Sequence, residues 1–442
     1  MPYRAGGGLP AETASKLGHL DVLQSSLVQQ LCQNFKKPVI PVACKNIGWE
    51  NIPDSGTPLR YYIGIDGSYQ TVSSEESPFS KITFVKTALV QLDQHALDKI
   101  NQDTPHPFEL RDLMRKSAIY HATVFPLQNI SFPDMNYMNN YHAIRHIIYD
   151  SLKDPSPQMK GQVMETLKWL AYQKWGDDER DLTEFECPHC GKLTTLPFDA
   201  EKGRCNEDRC NEEIFLSDWL GFHLEMTDDS APEQIASSYM SVHETLLLMT
   251  IIRDYWENNR DKISECLFIK DGPLAVRAQY SKIVDPIRRF LIFAQSKGYP
   301  IHILGQEKSG GFYDHFQFIS KEVPSKTFFI PGNDYIKKQI QRRPDTVAIY
   351  GKFTNYGTKI FAKFNEYQKI VLNIPINPPT NVNPDPKLGD VIGIERIFKT
   401  IPLLFTYRHD GGLLPIELAH SVASLSTYPS AEILKRYTES QQ

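Results

Sequence analysis

Four cysteines constrain this chain more tightly than any other local feature. "CPHC" supplies Cys187 and Cys190, and "CNEDRC" supplies Cys205 and Cys210 after a turn-rich spacer. Two pairs of thiolates presented by two knuckles close a tetrahedron around Zn²⁺, and four thiolates leave no open coordination position. The segment 187–210 is therefore expected to hold a structural metal and fix a local fold. Free cysteines by coincidence are the plain alternative. Redox chemistry is disfavoured because no strand-to-helix context surrounds "CPHC". The other three, Cys32, Cys44 and Cys266, read as small buried residues.

Seven cysteines without an N-terminal apolar signal region favour reduced thiols and a cytoplasmic setting. The longest strongly apolar run, near 246–252, falls short of a membrane span, so no membrane partner is expected. With 442 residues, 41% hydrophobic and 23% charged, the chain suits one large domain with insertions or two to three ordinary ones. A net charge of −5 excludes global attraction to nucleic acid, so any such binding rests on local patches.

Hydrophobic periodicity gives the order of elements. Residues 11–35 read as an amphipathic helix with Leu17, Leu20, Val22, Leu23, Leu27 and Leu31 on one stripe, better suited to core packing than to a dimer or partner contact. A connector runs to about 58, followed by a strand at 61–65 and a second strand, or broken pair, in "KITFVKTALVQL". Residues 107–175 read as mostly helical, and a long helix spans about 232–257. A strand at 266–270, a helix near 279–297 and the strand "YPIHIL" come next, then strands at 326–330, 347–350, 359–364 and 369–374. "IPINPPTNVNPDPKLGD" reads as a loop by its prolines, and two helices close the series. Strands and helices mixed in this way indicate an α/β architecture.

Two apolar strands run into Asp-Gly: "YYIGIDGS" at Asp66 and "CLFIKDGP" at Asp271. Each alone reads as a turn, with Asp opening it and Gly permitting it. Together they also fit carboxylates converging on a divalent cation, a chemistry that cleaves phosphodiesters. Glu244 offers a third acid. Met240, Leu247, Leu248 and Ile251 share its helix face, where an ionised carboxylate is expensive unless paired. A Glu at the face boundary, or one bonded to Arg253 or His243, is the competing reading.

In this order, "IGIDGS", a Glu-bearing helix, "LFIKDGPLA" and "GGLLPIELAHSVASL" resemble the NurA nuclease family over roughly 58–426. The resemblance implies an RNase H-like mixed sheet flanked by helices, Mn²⁺- or Mg²⁺-dependent degradation of DNA, and a homodimer docked on a HerA-type hexameric ATP-driven translocase. DNA end processing and anti-phage defence are the roles it suggests. Carried across by position, Asp66, Glu244 and Asp271 match the metal-binding acids, His420 the histidine of the last helix, and Lys308 a lysine after a strand. His420 also reads as a core histidine beside Ile416 and Ala423, and Lys308 as an exposed loop lysine. The sequence departs from the family before the last helix, where Leu413 and Leu414 stand in place of an aromatic residue; Tyr407 is the nearest ring.

The resulting organisation is an N-terminal helical arm over 1–57, a nuclease-like domain over 58–426 and a tail over 427–442. Within the domain, 95–230 is a helical insertion that carries the zinc knuckle as a rigid outgrowth. Lys337, Lys338, Arg342 and Arg343 form a basic cluster that suits either phosphate contact or a solvated helix face. From another class, a non-catalytic DNA-binding or scaffolding subunit fits the same fold, but gives no reason for three converging acids.

Overall fold

A computed structural model describes residues 22–35, 47–74, 80–98, 106, 108–109, 117–128, 140–154, 162–176, 179–226, 233–406, 411–426 and 429–441. The chain divides into two compact units, Met1–Ile47 and Gly48–Gln442. In the first, helix α1 (Ser26–Asn34) starts where Ser25 Oγ accepts the Val28 N–H, a side-chain cap for an otherwise orphaned donor. The core packing expected of its leucine stripe is not found. Leu27 and Leu31 are 62% and 47% exposed, and Cys32 is exposed as well. Leu17, Leu20, Cys44 and Tyr407 lie outside the described residues.

The second unit is a mixed α/β body. In chain order it holds strands β1 (Glu50–Asn51), β2 (Tyr61–Ser73), β3 (Lys81–Asp93) and β4 (Ala118–Gln128), and helices α2 (Asn140–Leu152) and α3 (Gln162–Ala171). Two small hairpins follow, β5 (Leu182–Glu186) with β6 (Leu193–Pro197) and β7 (Lys202–Arg204) with β8 (Glu213–Phe215). After them come α4 (Glu233–Asn258), β9 (Cys266–Asp271), α5 (Val284–Ser296), β10 (His302–Glu307), α6 (Gly311–Ile319) and β11 (Thr327–Phe329). The series closes with β12 (Thr358–Lys363), β13 (Lys369–Ile374), α7 (Ile394–Leu404), α8 (Leu414–Ala423) and α9 (Ser430–Gln441).

Nine strands form one sheet in the order β1-β11-β12-β13-β10-β9-β2-β3-β4. Its centre is parallel, β10 to β9 and β9 to β2, and every other pairing is antiparallel. Both faces are covered, as the buried centre of such a sheet requires. Ile63, Ile65, Phe268 and Ile303 pack beneath α2, α3, α4 and α5, in one core with Leu167, Val242 and Leu246. Tyr62, Leu267, Ile269 and Leu304 pack on the other side with Ile397 and Ile401 of α7 and Ile416 and Ala419 of α8. Alternate residues of one strand thus serve two different cores.

Helix α4 is central to the first layer. By length and composition its segment Gln234–Asn258 is long and apolar enough to cross a membrane, more so than the short apolar run in it suggests, yet 78% of its most apolar window is buried inside the protein. A helix apolar around its circumference is expected in the core of a large protein. On the other face, α8 lies almost in contact with the backbone of β2. A Cβ on Gly64 would stand 2.2 Å from the Pro415 carbonyl oxygen, so only glycine admits this approach.

Two expectations change, and one open alternative is decided. Residues 118–128, placed in a helical stretch, form β4 and pair with β3 along the edge of the main sheet, so 95–230 is not simply a helical insertion. "KITFVKTALVQL" lies within one thirteen-residue strand, Lys81–Asp93, the first of its two readings. The apolar run 347–350 is no strand but leads into a turn, because Gly351 adopts φ +67° and reverses the chain there.

Candidate functional site

The site sits where the sheet changes its connectivity. From β2 the chain continues to β3 on one side, while β9 lies on the other. Such a switch point leaves a crevice outside the carboxyl ends of the parallel strands, the usual place for ligands in open α/β sheets. Parallel pairing of β2 with β9 ends at Ile65 opposite Lys270, whereas pairing with β3 continues to Ser73. Asp66 is the first residue of β2 beyond the β9 pairing, and Asp271 is the last residue of β9. The expectation that Asp66-Gly67 ends its strand is therefore corrected. Both lie mid-strand, held extended by β3, and only Asp271-Gly272 is a true strand end, with Gly272 at φ +82°.

Alternation sorts the side chains by face. Asp66 and Asp271 share the face of Tyr62 and Ile269, toward α8, and there His420 Nδ1 lies 2.7 Å from Asp66 Oδ2. Lys308, just past β10, places Nζ 3.0 Å from Asp271 Oδ1. Lys270 takes the opposite face, toward α4, and its Nζ meets Glu244 Oε2 at 2.7 Å while donating to the Asp271 carbonyl at 2.9 Å. Glu244 reaches the strand because Gly67 has no side chain. A Cβ there would come within 2.7 Å of Glu244 Oε1 and 2.6 Å of Met240 Cγ.

All five sequence-derived residues thus gather at one place, from β2, α4, β9, the loop after β10, and α8. Neither competing reading of Glu244 holds. It is 5% exposed and bonds to neither Arg253, which donates to Gln162, nor His243, which pairs with Thr87. His420 is not a core histidine, since its side chain is 61% exposed. Lys308 is a loop lysine that is nonetheless engaged. Sequence reasoning missed Lys270, buried at 3% exposure, and Gly67. The available signal was a lysine in phase with the buried positions of "CLFIKD".

The electrostatics tie the acids together. Burial pushes Glu244 up to about 7; Lys270 opposes this, and the charges of Asp66 and Asp271 add to it. Burial works against the charge on Lys270, but Glu244, Tyr356 and Asp271 outweigh it and hold the ammonium protonated. His420 is raised above the ordinary histidine range, first by its hydrogen bond to Asp66, against burial, with Asp271 raising it further and Lys308 lowering it. Three mutually repelling carboxylates balanced by lysine and histidine form a set of hard oxygen donors, the chemistry that suits Mg²⁺ or Mn²⁺. Their oxygens do not all lie within 4.8 Å of one another as the cysteine thiols do; Glu244 comes from the α4 side of the sheet, and Glu244 and Asp271 are each held by a lysine.

The four cysteines are close enough to bind a metal such as zinc. Among the described residues they are the one group of three or more such ligands whose donor atoms all lie within 4.8 Å. Cys187 and Cys190 flank the β5–β6 turn, Cys205 and Cys210 the β7–β8 turn, with Cys187 Sγ 3.9 Å from Cys210 Sγ and Cys190 Sγ 3.7 Å from Cys205 Sγ. Burial pushes the Cys187 thiol up to about 12, and a bound cation favours the thiolate form of such ligands. The knuckle is not an outgrowth. Phe185, Cys187, Leu196, Cys205 and Ile214 belong to the main core, and Arg145 of α2 donates to both His142 and His189 at 3.1 Å while forking onto Asp218.

No protein-family model matches the chain, and no curated protein matches it in sequence.

Proposed function

We propose that the protein is a metal-dependent deoxyribonuclease with an RNase H-like core, working as a homodimer with a HerA-type hexameric translocase in DNA end processing or antiviral defence. The observation that carries this reading is the convergence of Asp66, Glu244 and Asp271 with His420 and Lys308 at the switch point of the sheet. The strand run β4-β3-β2-β9-β10, three antiparallel strands continued by two parallel ones, supports the RNase H-like assignment. The partner and the dimer rest on the resemblance of the motif series to NurA nucleases.

Asp66, Asp271 and the free oxygen of Glu244 would hold Mn²⁺ or Mg²⁺, which when bound supplies Lewis acidity for water attack and offsets charge on the departing 3′-oxygen. Lys270 opposes the burial that pushes Glu244 up to about 7 and so favours its ionised form. His420, anchored through Nδ1 on Asp66 and otherwise exposed, keeps its other ring nitrogen for proton exchange with the substrate near neutral pH. Lys308, 36% exposed, exchanges its Asp271 contact for a phosphate oxygen of the scissile strand.

The test is hydrolysis of fluorescent single- and double-stranded DNA in Mn²⁺, with and without the translocase, by the wild type, Asp66→Ala and Asp271→Ala. Each variant is expected to lose cleavage and keep its circular dichroism spectrum. Full activity in Asp66→Ala rejects the assignment, and an inert wild type with its translocase present leaves the scaffolding reading.

A further inference from the structure

An exposed phenylalanine stands on a firmly held turn that is hydrogen-bonded to the chain three to five residues after Asp271. Phe353 is 68% exposed, a costly position for so large an apolar ring, and Lys352 Nζ lies 5.2 Å from its ring centre. The turn beneath it is fixed from several directions. Gly351 takes φ +67°, and a Cβ there would come within 2.2 Å of Asn355 Nδ2. The Asn355 N–H donates to the Gly351 carbonyl at 3.0 Å, and the Tyr350 N–H to Asn333 Oδ1 at 2.9 Å. Arg288, 6% exposed, donates to the carbonyls of Gly351, Lys352 and Asn355. A buried guanidinium spent on three main-chain carbonyls makes the turn rigid.

The same turn is joined to the site on two sides. The Tyr356 N–H donates to the Leu274 carbonyl at 2.9 Å and the Val276 N–H to the Thr354 carbonyl at 3.0 Å, so the turn is laced to the chain just after Asp271. Phe312, shortly after Lys308, packs its ring 5.4 Å from that of Tyr350. The stretch 342–353 carries Arg342, Arg343 and Lys352 against one acid, Asp345, in a chain of net charge −5.

We propose that the turn over 350–353 is a stacking platform for single-stranded DNA, with Phe353 receiving a base and Lys352, Arg342 and Arg343 following the phosphates toward Asp271. This rests on the nuclease reading and adds to it the form of substrate the site takes. An aromatic face beside cations on a rigid support is how single strands are held without regard to sequence, since every base has a π-face.

The experiment measures anisotropy of fluorescein-labelled (dT)20 with the full chain in Ca²⁺, for the wild type, Phe353→Ala and Phe353→Trp, together with cleavage in Mn²⁺. Phe353→Ala is expected to weaken binding roughly fivefold to a hundredfold, as loss of one base–aromatic stack does, and Phe353→Trp to restore it. Unchanged affinity in Phe353→Ala, with the wild type still cutting DNA, overturns this inference alone. A shift from dimer to monomer in sedimentation with (dT)20 affinity unchanged assigns Phe353 to contact between copies and also overturns it. A wild type that neither binds nor cuts DNA overturns the inference and the nuclease reading together.

Discussion

His420 Nδ1 rests 2.7 Å from Asp66 Oδ2 across a separation of 354 residues. The contact exists because α8 lies directly on β2, and that approach is licensed at Gly64, where a Cβ would stand 2.2 Å from the Pro415 carbonyl oxygen. Gly64→Ala is expected to lower stability by roughly 3 kcal/mol, the scale of an overpacked core against unyielding backbone. Denaturant unfolding reads the loss, and a variant as stable as the wild type would place α8 elsewhere.

Lys270 and Glu244 form a buried pair at 2.7 Å, with 3% and 6% of their side chains exposed. Removing one partner strands the other charge in the core. Lys270→Met is expected to destabilise by roughly 3–5 kcal/mol, and the double change Lys270→Met with Glu244→Met by clearly less. Additive losses in a double-mutant cycle would show that the pair is not coupled.

Acid should unfold the protein in a defined window. Burial, with Arg396 adding to it, pulls His302 down to about 4, against about 6.5 for a free histidine. The unfolded chain then binds the proton first, so stability is full above pH 6.5 and falls as pH drops, by roughly 3 kcal/mol once below 4. His121 and His243, stacked at 4.3 Å and both lowered by burial, act in the same direction. Melting temperature should therefore fall between pH 7 and 4.5, with a shallower slope in His302→Gln; an identical slope in that variant contradicts the account.

Metal in the knuckle should stabilise more than the knuckle. Elemental analysis is expected to find about one zinc per chain, as a four-thiolate site holds a single ion, and Cys187→Ser to lose it. Because Arg145 bridges His142 and His189, hydrogen exchange should then rise in α2 as well as in β5–β8. Protection of α2 that is untouched by chelation would disconnect the two.

What the sequence made legible follows from what is local. The cysteine ligands declare themselves through spacing, and the acids through the order of their motifs. Asp66 reads as a turn residue because Asp-Gly is a turn dipeptide in isolation, whereas thirteen consecutive pairings with β3 hold it extended. Lys270 is hidden in the sequence because a lysine after four apolar residues looks like the end of burial; its place depends on α4 bringing Glu244 to meet it. Residues 347–350 have the composition of a strand, but the turn held by Arg288 offers them no partner strand.

The long interval between Asp66 and His420 also orders events in time. A ribosome adding roughly 5–20 residues per second needs on the order of 20 to 70 seconds to pass from one to the other. Throughout that period Asp66, and later Glu244 and Asp271, exist without the helix that roofs β2 and without the imidazole that α8 carries. A nascent chain is thus unarmed by its own topology, and the chemistry proposed for the finished protein begins only once nearly all of it has been made.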